Sequence, residues 1–164
     1  VVGFSSSGLH SNGFSLARKV LFEKAGYQVT DAWKNGKSLG EELLTPTRIY
    51  VKSILALARY GLIKGAAHIT GGGITENLPR IFPKNCEAVI HRASWRIPAI
   101  FHQIQKEGQV DEEEMYRVFN MGIGMIVITA PSSVKAVMSR AKRSGERASV
   151  IGEIRRGKPR VYYV

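Results

Sequence analysis

The sequence predicts an α+β fold with a mixed sheet, built as one domain. Strand-like and helix-like segments alternate along the chain, but without the strict strand–helix–strand repeat of a doubly wound parallel sheet. At 164 residues and 44% hydrophobic, the chain has the size of a single globular domain, which buries about two thirds of its unfolded surface. No apolar run approaches the ~18 residues needed to cross a bilayer, so the hydrophobic segments are core and a membrane partner is not expected.

Val1 to Ser5 reads as a strand already under way, without an initiator methionine, and the expectation is a piece of a longer protein. Ser5 to Gly13 is a run of turn formers. Phe14, Ala17, Leu21 and Ala25, with Phe22 alongside, then give a helical stripe that Ser11 or Asn12 can cap and Gly26 can end. Residues 31 to 46 are turn-rich around Asn35-Gly36-Lys37, with a short helix at Leu39 to Leu44 ended by Pro46. Thr47 to Tyr60 is predicted as a helix burying Val51, Ile54, Leu55 and Ala58.

Ala66 to Ile69 reads as a strand running into Gly71-Gly72-Gly73, and the helix that follows has Thr75 or Asn77 as its predicted N-cap. Cys86 to Ile90 is a strand, Pro98 to Lys106 a helix with Gly108 beyond its end, and Asp111 to Glu114 open another helix with acid at the positive end of its dipole. Gly122 and Gly124 precede a strand at Ile126 to Ala130. Val134, Val137, Met138 and Ala141 form the apolar stripe of an amphipathic helix. The chain closes with strands at Ser149 to Ile154 and Arg160 to Val164.

The formal net charge is +11, and between Lys135 and Arg160 nine basic residues face two acidic ones. No zinc-finger spacing, stacking-aromatic pattern or recognition helix accompanies this excess, so nucleic acid is not the expected partner. Attraction for phosphorylated metabolites is the more economical use of the charge. The single cysteine, Cys86, excludes an internal disulfide and reads as core filler. No metal site is expected, because the successive carboxylates of Asp111 to Glu114 would project to different sides of a helix.

Candidate binding residues gather in loops. Three glycines between a strand and a helix let backbone approach a ligand closely, beside N–H groups that have no helical partner. His10 lies in the first loop, where it can bond or protonate a ligand near neutral pH. Arg18, one turn into the next helix, carries a fork suited to phosphate. Asn120 offers both donor and acceptor beside Gly122 and Gly124. The latter glycines precede their strand and lack a third member, which excludes a dinucleotide fingerprint.

Four ordered stretches together are more specific than any one: Gly8-Leu9-His10-Ser11-Asn12-Gly13-Phe14-Ser15-Leu16-Ala17-Arg18, Leu43-Leu44-Thr45-Pro46-Thr47-Arg48-Ile49-Tyr50-Val51-Lys52, His68-Ile69-Thr70-Gly71-Gly72-Gly73 with Glu76-Asn77-Leu78-Pro79-Arg80, and Met115-Tyr116-Arg117-Val118-Phe119-Asn120-Met121-Gly122-Ile123-Gly124-Met125. They resemble the aminoimidazole ribonucleotide synthetase family, the phosphoribosylformylglycinamidine cyclo-ligases, from Val1 to Val164. The resemblance implies a three-layer α/β/α domain with a mixed sheet, in which residues 1–164 are the C-terminal domain. It also implies an ATP- and Mg²⁺-dependent ring closure on a phosphorylated riboside, in a cytoplasmic homodimer whose ATP- and metal-binding N-terminal domain is absent from this chain.

By that resemblance His10 is the catalytic candidate. Substrate and phosphate fall to Ser11, Asn12, Gly13, Arg18, Thr70, Gly71, Gly72, Gly73, Asn77, Asn120, Gly122 and Gly124. The resemblance leaves two alternatives: another ATP-using synthetase or kinase of the same superfamily, or a non-enzymatic basic binding module.

Overall fold

A computed structural model describes residues 1–164. The fold is α+β, and its strands form two sheets. The first contains β1 (Val2–Ser5), β2 (Gly65–His68), β4 (Ile123–Ile128) and β5 (Ala148–Val150) in the order β2-β4-β1-β5, antiparallel throughout. The second places β3 (Cys86–Ile90) between β6 (Gly152–Arg156) and β7 (Val161–Tyr163), antiparallel to one and parallel to the other. The mixed sheet of the expectation is therefore the three-stranded one.

Period-two alternation decides what each face of β1 touches. Val2 and Phe4 point to one side, where α3 (Val51–Arg59) and α7 (Val134–Arg143) cover them with Leu57, Val137 and Ala141. Val1 and the neighbouring Ile123 and Ile126 of β4 point to the other side, against Ala88, Ile90 and Ile151. A third cluster joins α1 (Phe14–Arg18), which continues as a π-helical turn over Lys19–Lys24, to α5 (Ala99–Gly108) and α6 (Glu112–Val118) through Leu21, Ile104, Met115 and Phe119. Trp95 anchors this region, donating from Nε1 to the Met121 carbonyl at 2.8 Å.

Several boundaries differ from expectation, each for a physical reason. The predicted strand Ser149–Ile154 is broken at Ile151, which changes sheets: its N–H donates to Val1 while its carbonyl accepts from His91. Strand β4 starts at Ile123, so Gly124 lies within it, opposite the register shift between Phe4 and Ser5. The third helix starts at Val51 because residues 47–50 stay outside it, and its buried positions are Ser53 and Leu57. Val51 and Leu55, predicted as core, are 59% and 51% exposed, and Ala58 is exposed too.

Neither Ser11 nor Asn12 caps α1. Gly13 does so in the left-handed conformation, with φ 75°, a region open to glycine at little cost. Likewise Gly72, at φ 96°, precedes α4 (Gly73–Asn77), which leaves Thr75 and Asn77 inside that helix. Pro98 caps α5 from outside, and Gly108 is its last residue. No helix of the structure is long and apolar enough to cross a membrane.

Candidate functional site

Capping by glycine frees the side chains of the first loop, and they tie three loops together. Ser7 Oγ donates to the Pro46 carbonyl at 2.6 Å, and Ser11 Oγ lies 3.0 Å from Thr47 Oγ1. Asn12 Oδ1 would stand 3.6 Å from a Cβ at Gly71. Beneath them, Ser6 N–H donates to Gly122 and Ile69 N–H to Gly124. The predicted His10, glycine-turn and Asn120 regions thus meet, joined by the segment 45–50.

His10 sits at the centre, 4% exposed, with φ at 59°. Its ring centroid is 6.2 Å from Tyr50 and 6.4 Å from His68. Nε2 accepts from Ser7 N–H at 3.1 Å and more distantly from Arg48 N–H at 3.5 Å. That assigns the ring proton to Nδ1, which is buried and has no acceptor. Burial, then the nearby His68 and Arg48, push its pKa down to about 4. The proton donation near neutral pH expected of this residue is thereby corrected. His10 is neutral there, with its Nδ1–H buried.

Other predicted residues shape the site from behind. Asn77 is buried, and its Nδ2 donates to the carbonyls of Thr70, Gly71 and Gly73 while its Oδ1 accepts from Thr70 Oγ1. Gly73 is buried against the Tyr116 carbonyl, and its N–H donates to Thr70. The Glu76 carboxylate lies over Gly72, so of the three glycines Gly71 alone is exposed. Asn120, 1% exposed, bonds Ser6, Gly8, Leu9 and Gly122. Gly122 packs on Pro98, Gly124 on Tyr50 and His10, and Gly13 on the Phe119 ring. Arg18 is exposed in the last turn of α1.

Four residues outside the predicted site set complete the cleft, three of them within the stretches that carry the resemblance. Arg48, Tyr50 and His68 line an open cavity of roughly 370 Å³ with Ile49, Ile54 and Met125. Tyr50 donates to the Ser5 carbonyl at 2.8 Å, and burial raises its pKa. Glu146, from the turn after α7, accepts from Arg48 Nη1 at 3.1 Å. The available signal was the cluster of polar and aromatic residues straight after Pro46, which the helical reading of Thr47–Tyr60 absorbed.

The sequence profile described as AIR synthase related protein, C-terminal domain, matches residues 1–164. The chain belongs to this family. Among curated members, the phosphoribosylformylglycinamidine cyclo-ligase of Caldanaerobacter subterraneus subsp. tengcongensis is 56% identical over 159 residues, covering 96% of this chain and 47% of the relative. The enzyme of the same name from Syntrophotalea carbinolica is 54% identical over 155 residues, covering 94% of this chain and 44% of the relative. This AIR synthase related chain therefore spans less than half the length of those relatives.

Among solved structures, thiamine-monophosphate kinase from Stenotrophomonas maltophilia aligns over 99% of the chain and 49% of its own, with TM-score 0.63 and 17% identity. PurL of T. maritima, complexed with AMPPCP, aligns over 99% of the chain and 23% of its own, with TM-score 0.52 and 16% identity. At such identities the likeness is one of fold.

Proposed function

We propose that this chain is the C-terminal part of an ATP-dependent cyclo-ligase that converts formylglycinamidine ribonucleotide to aminoimidazole ribonucleotide in purine biosynthesis. It contributes the phosphate and ribose side of the cleft. The observation that supports this reading is the meeting of the His10 loop, the segment 45–50 and the Gly71 turn, next to the cavity that Arg48, Tyr50 and His68 line. That is an arrangement suited to positioning a phosphorylated riboside. ATP, held mainly by the part of the protein beyond this chain, supplies the phosphoryl group that turns an amide oxygen into a leaving group.

This chain's residues bind and orient. Exposed Ser11 and Asn12 at the Gly71 turn offer hydrogen bonds to ribose and phosphate oxygens, while Asn77 and Asn120 hold the loops in place. No group of three or more His, Cys, Asp or Glu that could hold a metal ion gathers in this chain; on this reading Mg²⁺, like ATP, is held mainly by the part of the protein beyond it. The full-length enzyme is a cytoplasmic homodimer on this reading. The test is a paired measurement: calorimetry of ribose 5-phosphate with this chain, and a coupled assay of ADP release with the amidine substrate. Binding without turnover is expected. Turnover by the chain alone, or no affinity for ribose 5-phosphate, overturns the proposal.

A further inference from the structure

Two buried donors at the cleft have no acceptor, His10 Nδ1 and Arg48 Nε. The backbone N–H of Arg48 lies 3.5 Å from His10 Nε2, on the opposite edge of the same ring. Buried donors in folded proteins are nearly always paired; these two are closed to a ligand as well as to the chain, whereas Arg48 Nη2, unbonded within the protein, belongs to a side chain 28% exposed on the cavity wall.

The Arg48 guanidinium is also held in place. Nη1 donates to Glu146 Oε2 at 3.1 Å, and the other carboxylate oxygen accepts from Ser53 Oγ at 3.0 Å. The Glu146 side chain is 7% exposed and that of Arg48 28%. A carboxylate so buried persists only when its oxygens are satisfied, and here both are. One edge of the guanidinium faces Glu146, which leaves Nη2 free to donate and the charge fixed beside Tyr50 and His68 in the cavity wall. Ser53 is buried on α3, a helix position that otherwise favours an apolar residue.

We propose that Arg48 is a phosphoryl-oxygen-binding residue, positioned by Glu146 and Ser53 on the wall of this cavity. A guanidinium binds a phosphate oxygen through charge and directed N–H groups together. The inference rests on the functional reading above and deepens it by naming residues for the phosphoryl group. That group belongs either to the riboside or to a nucleotide.

The experiment titrates ribose 5-phosphate and ATP separately into the 164-residue chain and its variants, with circular dichroism melts alongside. Arg48→Ala weakens at least one probe tenfold or more, and the probe affected names the source of the phosphoryl group. Arg48→Lys does not restore affinity, because an ammonium has no directed fork. Glu146→Gln weakens the same probe severalfold in the wild-type background and has no further effect once Arg48 is alanine; a merely structural glutamate would not show this coupling. If Arg48→Ala does not fold, Arg48→Gln, which keeps much of the stem, takes its place.

Unchanged affinity for both probes in a folded Arg48 variant overturns the inference. If Asn12→Ala meanwhile abolishes ribose 5-phosphate binding, the functional reading survives alone. A wild-type chain that binds neither probe ends both.

Discussion

Gly124 and His10 occupy the same space, apart from one missing methyl. A Cβ on Gly124 would overlap the His10 ring at Cε1 and the Tyr50 hydroxyl. Strand β4 therefore carries a residue without a side chain where the catalytic candidate packs down on the sheet. Gly124→Ala forces His10 or Tyr50 aside, at an overpacking cost of about 1–3 kcal/mol. For a domain of this size that lowers Tm by very roughly 2–4 °C per kcal/mol. A thermal melt measures the loss, and an unchanged Tm with an unmoved His10 imidazole signal in the NMR spectrum would contradict the packing.

The His10 ring also predicts an acid dependence of stability. Its pKa lies at about 4 in the folded chain against an ordinary 6.5. Between those values the unfolded state binds a proton that the folded state refuses, so stability falls as pH drops from about 6.5 towards 4 and levels off below. The linkage amounts to at most about 3 kcal/mol. Asparagine accepts the positive φ of this position, so His10→Asn serves as reference. Urea melts across this range are steeper in pH for the native chain than for the variant. Parallel curves would show that His10 titrates normally.

Tyr50 offers a narrower test. Its hydroxyl donates to the Ser5 carbonyl, next to the register shift in β1, and the residue is 3% exposed. Tyr50→Phe keeps the ring between Phe4 and His68 but leaves that carbonyl unpaired, at a cost of about 1–2 kcal/mol. Chemical denaturation measures it, and a neutral result would mean that water replaces the hydroxyl.

Much of this was legible in the sequence, because burial leaves a period. The stripe of α7 appears in the structure with Val137 and Ala141 buried. The glycine turns and the strand at Cys86 to Ile90 also stand where read. What stayed hidden were choices that periodicity does not encode. A strand that changes sheets at Ile151 keeps the same alternation as one that does not. A glycine in the left-handed region can replace a side-chain cap, so Ser11 and Asn12 looked like caps while they face other loops. Arg48 and Tyr50 fit a helical pattern and were absorbed by it, although tertiary bonds from Ser5 and Glu146 hold them. Charge partners 98 residues apart, such as Arg48 and Glu146, leave no local trace.

Asn120 shows most sharply how a predicted binding residue holds the site from within. Its Oδ1 accepts from Ser6 Oγ at 2.9 Å and Gly122 N–H at 2.8 Å, while Nδ2 donates to Gly8 at 2.9 Å and Leu9 at 3.2 Å. One buried amide thus joins β1, the His10 loop and the entry to β4. Asn120→Ala leaves four polar groups unpaired, and with a buried orphan costing about 1–3 kcal/mol the total is about 3 kcal/mol or more. Asn120→Asp separates the two halves of the network: the carboxylate still accepts from Ser6 and Gly122 but sets negative charge against the Gly8 and Leu9 carbonyls. Both variants are therefore destabilised, and the aspartate recovers stability at low pH, where its carboxyl regains a proton to donate. An aspartate variant as stable as the native chain at pH 7 would show that the Nδ2 bonds do not hold the loop.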